Sequence, residues 1–378
     1  MKILTICILN LLLCISVLGQ NAGSNIFTHT QSGRSYGAGH FEVYNQSAFY
    51  TASVGTIITP PPAPAFSGSS YWLVQNNFAL VYAPVEHLDL ILKLGFYQDS
   101  HYMSDFNFPD AISFTLKGGS LTFAGRHLYA AGMLNLSRPM GDTHNYPLVE
   151  YSSSAQFEFG VTGALSYYSD IYYPDNSFSA HLNVGYLSHN AAKSVAYNKE
   201  NLEILAGTNG VGVQYGLGLI YPLRLIEFRV ELSGIQYLQQ PDTIVYGRED
   251  YMYVTPSIRY KPFHWLSIDL GLDYRISADE EKTTGAYLYT ANMDLPNYAD
   301  WKAQIGLNFK IFPFAPPPKS VEQIKSEQFN QRIDYFRGMV EDRERLQNAR
   351  EDIEAIKTER RKVEREIKEL KQALEAQG

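Results

Sequence analysis

In this chain of 378 residues, charged side chains sit at alternate positions of otherwise apolar stretches. Glu227, Arg229 and Glu231 alternate with Ile226, Phe228, Val230 and Leu232. Asp269, Asp273 and Arg275 do the same within WLSIDLGLDYRI (Trp265 to Ile276), and Asp89 and Lys93 within LDLILKLGFY (Leu88 to Tyr97). Arg259 occupies the polar face of the stretch between the first two. A β-strand turns successive side chains to opposite faces, so each stretch has one apolar and one charged face. If the strands are neighbours, these charges form one patch of mixed sign. Two chemistries fit such a patch. Rings of charge line and select in a channel, and salt bridges can equally fill and stiffen a narrow interior. The sequence leaves both open.

Other chemistry finds little support. The nine histidines (29, 40, 87, 101, 127, 144, 181, 189 and 264) are scattered, with no pair at metal-ligand spacing in one element. His181 shares a polar face with Ser179 and Asn183. No G-x-S-x-G, H-E-x-x-H or phosphate loop occurs, although a catalytic site can be assembled from separated strands. No enzyme activity, metal or cofactor is expected. The two cysteines, Cys7 and Cys14, lie in MKILTICILNLLLCISVLGQ, which has a basic Lys2, an apolar run and Gly19 before a cut. This reads as a secretory signal peptide over 1–19 rather than an anchor, because the apolar run is shorter than the ~20 residues a spanning helix needs. A mature chain would then hold no cysteine, which excludes disulfides and thiol chemistry.

The elements that must carry the charges are strands. After a polar lead-in over 20–34, expected to be periplasmic, a first strand fits Ser35 to Tyr44. A Ser-, Pro- and Gly-rich stretch follows, within which Ala48 to Ile58 could hold another. Then come Ser70 to Ala83, Leu88 to Tyr97, Ala111 to Phe123, Leu128 to Ser137, Ala155 to Tyr167, Phe178 to Leu187, Gly210 to Tyr221, Ile226 to Tyr237, Tyr251 to Tyr260, Trp265 to Ile276 and Asp300 to Phe312. Short turns containing Pro84, Pro222 and Pro262 alternate with long polar loops, and Tyr or Trp stands at strand ends. Proline cannot donate to a ladder and belongs at a strand end, while amphipathic rings suit a membrane interface. The expected fold is all-β: an antiparallel transmembrane up-and-down barrel of about twelve strands over 35–312, apolar toward lipid and polar toward its lumen.

Gln304, Gly306, Phe309 and Ile311 lie in QIGLNFKI on the last expected strand. This octapeptide resembles the terminal β-signal of bacterial outer-membrane β-barrel proteins. The resemblance implies recognition by the barrel-assembly machinery and residence in outer-membrane lipid. Unlike the usual signal it does not end the chain, a departure shared with barrels that carry a periplasmic C-terminal domain.

A Pro-rich linker, 313–319, introduces a different composition. Residues 320–378 contain no proline and are rich in Glu, Lys, Arg and Gln. A three-four repeat runs through Leu346, Ala349, Ile353, Ile356, Arg360, Val363, Ile367, Leu370 and Leu374, the seam of a coiled coil. Gly338 marks a possible hinge upstream. Lys357, Arg360, Arg361, Lys362 and Arg365 interleave with Glu359, Glu364 and Glu366, which makes a solvated helix face and not a nucleic-acid surface. The seam requires self-association or a partner helix. The expected function is therefore an outer-membrane channel for small polar solutes with a periplasmic coiled-coil arm. The alternative is an envelope scaffold whose barrel only anchors the arm.

Overall fold

A computed structural model describes residues 28–58, 65–99, 107–140, 148–153, 156–171, 174–199, 202–278, 280, 282–283, 296–312 and 321–375. The expected signal peptide over 1–19 and the linker over 313–319 lie outside these residues. Alternating polarity makes strands β1 (His40–Ile58), β2 (Ala65–Val85), β3 (Leu88–Asp99), β4 (Asn107–Phe123), β5 (Leu128–Pro139), β6 (Glu158–Tyr168) and β7 (Ser179–Ser188). A small hairpin follows, β8 (Val195–Lys199) with β9 (Leu202–Leu205), and then β10 (Val211–Pro222), β11 (Ile226–Gln239), β12 (Tyr251–Phe263), β13 (Leu266–Arg275) and β14 (Trp301–Phe312). All except β8 and β9 join one closed antiparallel barrel of twelve strands. It is sealed where β1 pairs with β14, from Phe41 opposite Phe312 to Phe49 opposite Ala303.

The first strand differs from the expectation. Residues 35–39 are not strand, and Ala48 to Ile58 is not a strand of its own but the continuation of the first. β1 continues to Ile58 and pairs along its length with β2, from His40 opposite Ala83 to Ile58 opposite Ala65. Backbone pairing over nineteen residues outweighs the weak strand preference of Ser53 and Gly55. Between lead-in and wall the chain turns at Gly37 and Gly39, whose φ of 93° and 77° lie in the left-handed region that suits glycine.

Short turns at Glu86–His87, Ala124–His127, Leu223–Leu225 and His264–Trp265 mark one rim. With an even strand count, β1 begins and β14 ends at that same rim. The outer wall is apolar. Leu182, Val184, Phe228, Val230, Leu270, Leu272, Tyr274 and Ile305 are all exposed there, each beside strand neighbours whose polar side chains are buried inside. A soluble barrel buries apolar groups in its centre. The reverse arrangement, with a belt far larger than a soluble surface tolerates, is that of a membrane-spanning barrel.

The C-terminal segment is a separate compact unit. It is one helix, Val321–Glu375, unbroken at the expected hinge Gly338. Glycine lowers helix stability but breaks no backbone hydrogen bond. Its 55 residues span about 80 Å at 1.5 Å each. Leu346, Ile353, Ile356, Val363 and Ile367 of the expected seam are exposed. The side chains of Leu370 and Leu374 lie outside the described set.

Candidate functional site: a strapped lumen

The alternating charges face the barrel interior, but the structure divides them into several groups. The largest joins three neighbouring strands. Arg259 donates from Nε and from an Nη to the two carboxylate oxygens of Asp269, at 2.5 and 2.6 Å. Arg229 lies 3.7 Å from the same carboxylate and donates through Nε to Glu227 at 3.1 Å, and Lys261 also pairs with Glu227. The phenol of Tyr44 reaches Asp269 at 3.3 Å. Register explains the grouping, since Glu227 stands opposite Arg259, and Arg259 opposite Asp269. Asp89 is elsewhere, 3.3 Å from the Lys117 ammonium. Arg275 sits near the long-loop rim and pairs with Asp300. Apart from the exposed Asp300 and the partly exposed Lys261, these are buried charges, and removing one partner leaves the other unpaired.

Glu231 and Asp273 do something the sequence did not suggest. They hold residues 28–30, the start of a strap over 28–38 that runs inside the barrel to its short-turn rim, whereas the lead-in over 20–34 was expected outside it. The Glu231 carboxylate accepts backbone N–H groups from Thr28 at 2.9 Å, His29 at 2.7 Å and Thr30 at 2.9 Å. Asp273 accepts from the His29 ring at 3.0 Å and from Thr255 Oγ1 at 2.6 Å. The strap continues toward the short-turn rim by the same means. Asn183 accepts from Gln31 N at 2.6 Å and donates to Gln31 O at 2.8 Å. Ser166 accepts from Gly33 N, Ser120 from Ser35 N and Asp89 from Tyr36 N, at 2.7, 2.9 and 3.1 Å. Lys117 donates to Arg34 O at 2.6 Å. Arg34 itself pairs with Asp175 at 2.6 Å and lies over the rings of Tyr129 and Tyr168.

Wall side chains thus satisfy the strap's backbone, which a buried segment without a strand partner requires. The signal for it was faint. Glu231 stands opposite Gly218 and Thr255, neither of which can neutralise it. An inward acid with no base in register needs another donor. Around His29, burial opposes the charged ring, but Asp273, Glu231 and Glu150 outweigh it, and its pKa is raised to about 9.

A second piece of chain enters from the long-loop side. Leu148 is buried and donates its N–H to Asn297 O at 3.0 Å. Glu150 pairs with Lys302 at 3.3 Å. Burial opposes the charge of Glu150, but Lys302 holds its carboxyl below the usual range. Ser153 N donates to Glu158 at 2.5 Å, and Glu158 also pairs with His189 at 2.9 Å. Two cavities of about 90 Å³ each lie in the lumen, one lined by Thr28 and His29 of the strap with Glu150 of the loop, the other by Glu150, Tyr151 and Ser152 of the loop and by the wall. Lys93 lines both.

One arrangement has the look of a nucleophile and base. His181 contacts Ser166 Oγ through Nδ1 at 2.7 Å and Ser179 Oγ through Nε2 at 3.0 Å. Both ring nitrogens are taken by hydroxyls, and Gly33 of the strap covers Ser166. Its geometry anchors the strap, and it lacks the open approach a nucleophile needs.

The four β-signal positions fall on β14. Gln304 is buried, accepts from the Gln46 amide and donates to Asp273. Gly306 is required by close approach, since a Cβ there would stand 2.7 Å from the Tyr44 hydroxyl and 3.1 Å from the Asp269 Cβ. Phe309 and Ile311 point outward by strand parity.

No family model matches this sequence, and no curated protein is similar to it. Solved structures of similar fold include an outer membrane channel from Pseudomonas putida F1, with 10% identity, a TM-score of 0.42 and coverage of 74% of this chain and 97% of that one. The NanC porin has 9% identity and a TM-score of 0.44 over 71% of this chain and all (100%) of its own. The translocator domain of the autotransporter NalP from Neisseria meningitidis has 12% identity and a TM-score of 0.37, covering 71% and 88%. Such distant likeness adds nothing to the barrel that the strand pairing already establishes.

Proposed function

We propose that this chain is an outer-membrane channel for small polar solutes, closed in the observed state by its own strap over residues 28–38. One observation carries the reading. The interior is occupied by a piece of chain separate from the wall, and the backbone of Thr28, His29 and Thr30 is held by one carboxylate, Glu231, while Asp273 takes the His29 ring. A lumen filled by its own wall side chains has no way to open, whereas a strap held by side-chain acceptors can leave as a unit. The apolar belt and the β-signal-like β14 support an outer-membrane location and assembly by the barrel-assembly machinery. Both chain ends of the barrel share the short-turn rim, and in outer-membrane barrels short turns face the periplasm. The helical arm then belongs in the periplasm, where its exposed seam would self-associate or dock.

Single-channel recording in planar bilayers tests this. The whole chain should conduct rarely, and Glu231→Gln should conduct in stable, discrete steps. Absence of conductance from both, with the barrel folded, would reject the channel. The exposed seam of the helix then favours the second reading, an envelope scaffold anchored by a closed barrel.

A further inference from the structure

The loop and the wall, with the strap on one side, leave a lumenal chamber whose polar lining is incompletely satisfied. Lys93 is 6% exposed and stands on β3, facing inward between Asp89 and Gly95. Among the described residues its ammonium has no hydrogen bond and no ion pair. Three carboxamides line both cavities with it, Gln75 and Asn77 from β2 and Gln214 from β10 on another part of the wall. They too have no hydrogen-bond partner among the described residues. Glu227, Arg229, Arg259 and Asp269 satisfy one another, as do Asp89 and Lys117. The acids near Lys93 are mostly committed: Glu150 to Lys302, Asp273 to His29, and Glu158 to Ser153 and His189. The acid whose charge reaches this buried ammonium is Glu150, which is already paired with Lys302, so an anion in the chamber would offset the cost of burying Lys93 further.

We infer that Lys93, with the side-chain amides of Gln75, Asn77 and Gln214, forms a lumenal binding site for a small carboxylate. The ammonium supplies the charge that selects an anion, and the amides donate to its oxygens and to a polar remainder. Glu150 lines the same space and sets a limit on the ligand. A second negative charge would meet its carboxylate, so monoanions are favoured over dianions. The chamber's volume admits a compact acid and excludes a chain of linked sugars. The site stands whether or not the barrel conducts, because it requires only access from the long-loop side.

Saturation-transfer difference NMR on the whole chain refolded in detergent tests this, with acetate as the probe and acetamide as its neutral counterpart. Acetate should give saturable transfer and acetamide little. Lys93→Gln should weaken acetate binding by about tenfold or more, the loss expected for one charge-assisted hydrogen bond, while Lys93→Arg retains it. Equal transfer to acetate and acetamide, or acetate binding unchanged in Lys93→Gln, would overturn the site. Each variant is first checked for the slow electrophoretic shift on heating that marks a folded barrel. If Lys93→Gln does not fold, the comparison of acetate with acetamide on the unaltered chain decides alone. No current is read, so failure of the channel reading leaves the outcome interpretable.

Discussion

Replacing Glu231 by glutamine should release the strap. In the native arrangement one carboxylate oxygen accepts from Thr28 N and the other from both His29 N and Thr30 N. Glutamine keeps one acceptor oxygen and puts an NH₂ group where the other stood. Whichever way the amide turns, at least one backbone donor then faces a donor. Each hydrogen bond to a charged group contributes about 1.5–3 kcal/mol, and a buried donor left unpaired costs about 1–3 kcal/mol. Taking one bond lost and one donor stranded gives about 3 kcal/mol, or roughly a hundredfold shift toward the released strap. Thr30, fully buried at 0% exposure, is the reporter. A Thr30→Cys chain should react slowly with a charged maleimide, and Thr30→Cys with Glu231→Gln about a hundredfold faster. Glu231→Asp should fall between, because its shorter side chain keeps the charge but not the reach. An unchanged labelling rate in a folded Glu231→Gln barrel would refute the reasoning, since the strap would then be held by something other than this carboxylate.

Further expectations follow from the same contacts. His29 is charged in the lumen with a pKa raised to about 9. A raised folded-state value stabilises the strap fully below about pH 6.5 and loses that contribution as pH climbs through about 9. Thr30→Cys labelling should therefore accelerate on the alkaline side, and His29→Asn should flatten that rise. Arg259→Met leaves Asp269 without its two-point partner, a change expected to destabilise the barrel by about 3–5 kcal/mol. Arg259→Met combined with Asp269→Leu should recover much of the loss, read from urea midpoints of refolded chains. Gly306→Val drives a side chain into Tyr44 at the closing seam and should cost about 1–3 kcal/mol or block closure, seen as loss of heat-modifiable mobility. Ile356→Asp places a charge in the exposed helical seam. If the arm self-associates, light scattering of the whole chain in detergent should show a smaller assembly for this variant.

Much of the architecture was legible because strand parity is a local property. The alternation in Ile226 to Leu232 and in Trp265 to Ile276 assigns every side chain to wall or interior, and the even strand count follows from turn spacing. The heptad spacing from Leu346 likewise reports a helix without reference to anything else. The strap was not legible. Residues 28–38 carry no periodicity, and their order comes from partners more than 200 positions away, as between His29 and Asp273, 244 positions apart. Composition alone reads such a segment as a loose lead-in. The charges illustrate the same division. That Glu227, Arg229, Glu231, Arg259, Asp269 and Asp273 share an interior could be read from alternation. Which of them neutralise each other depends on register between strands, and that depends on how the whole barrel closes. Arg259 meets Asp269 across β12 and β13, while Glu231, opposite Gly218 and Thr255, is left for the strap. Lys93 is the same case in reverse, because nothing in LDLILKLGFY distinguishes it from Asp89. Only the closed barrel gives Asp89 a lysine and leaves Lys93 facing a chamber. The sequence by itself determined which face each residue takes, through the two-residue repeat of an extended chain. The tertiary structure decided which buried charges find partners, because pairing is a property of residues brought together from distant strands.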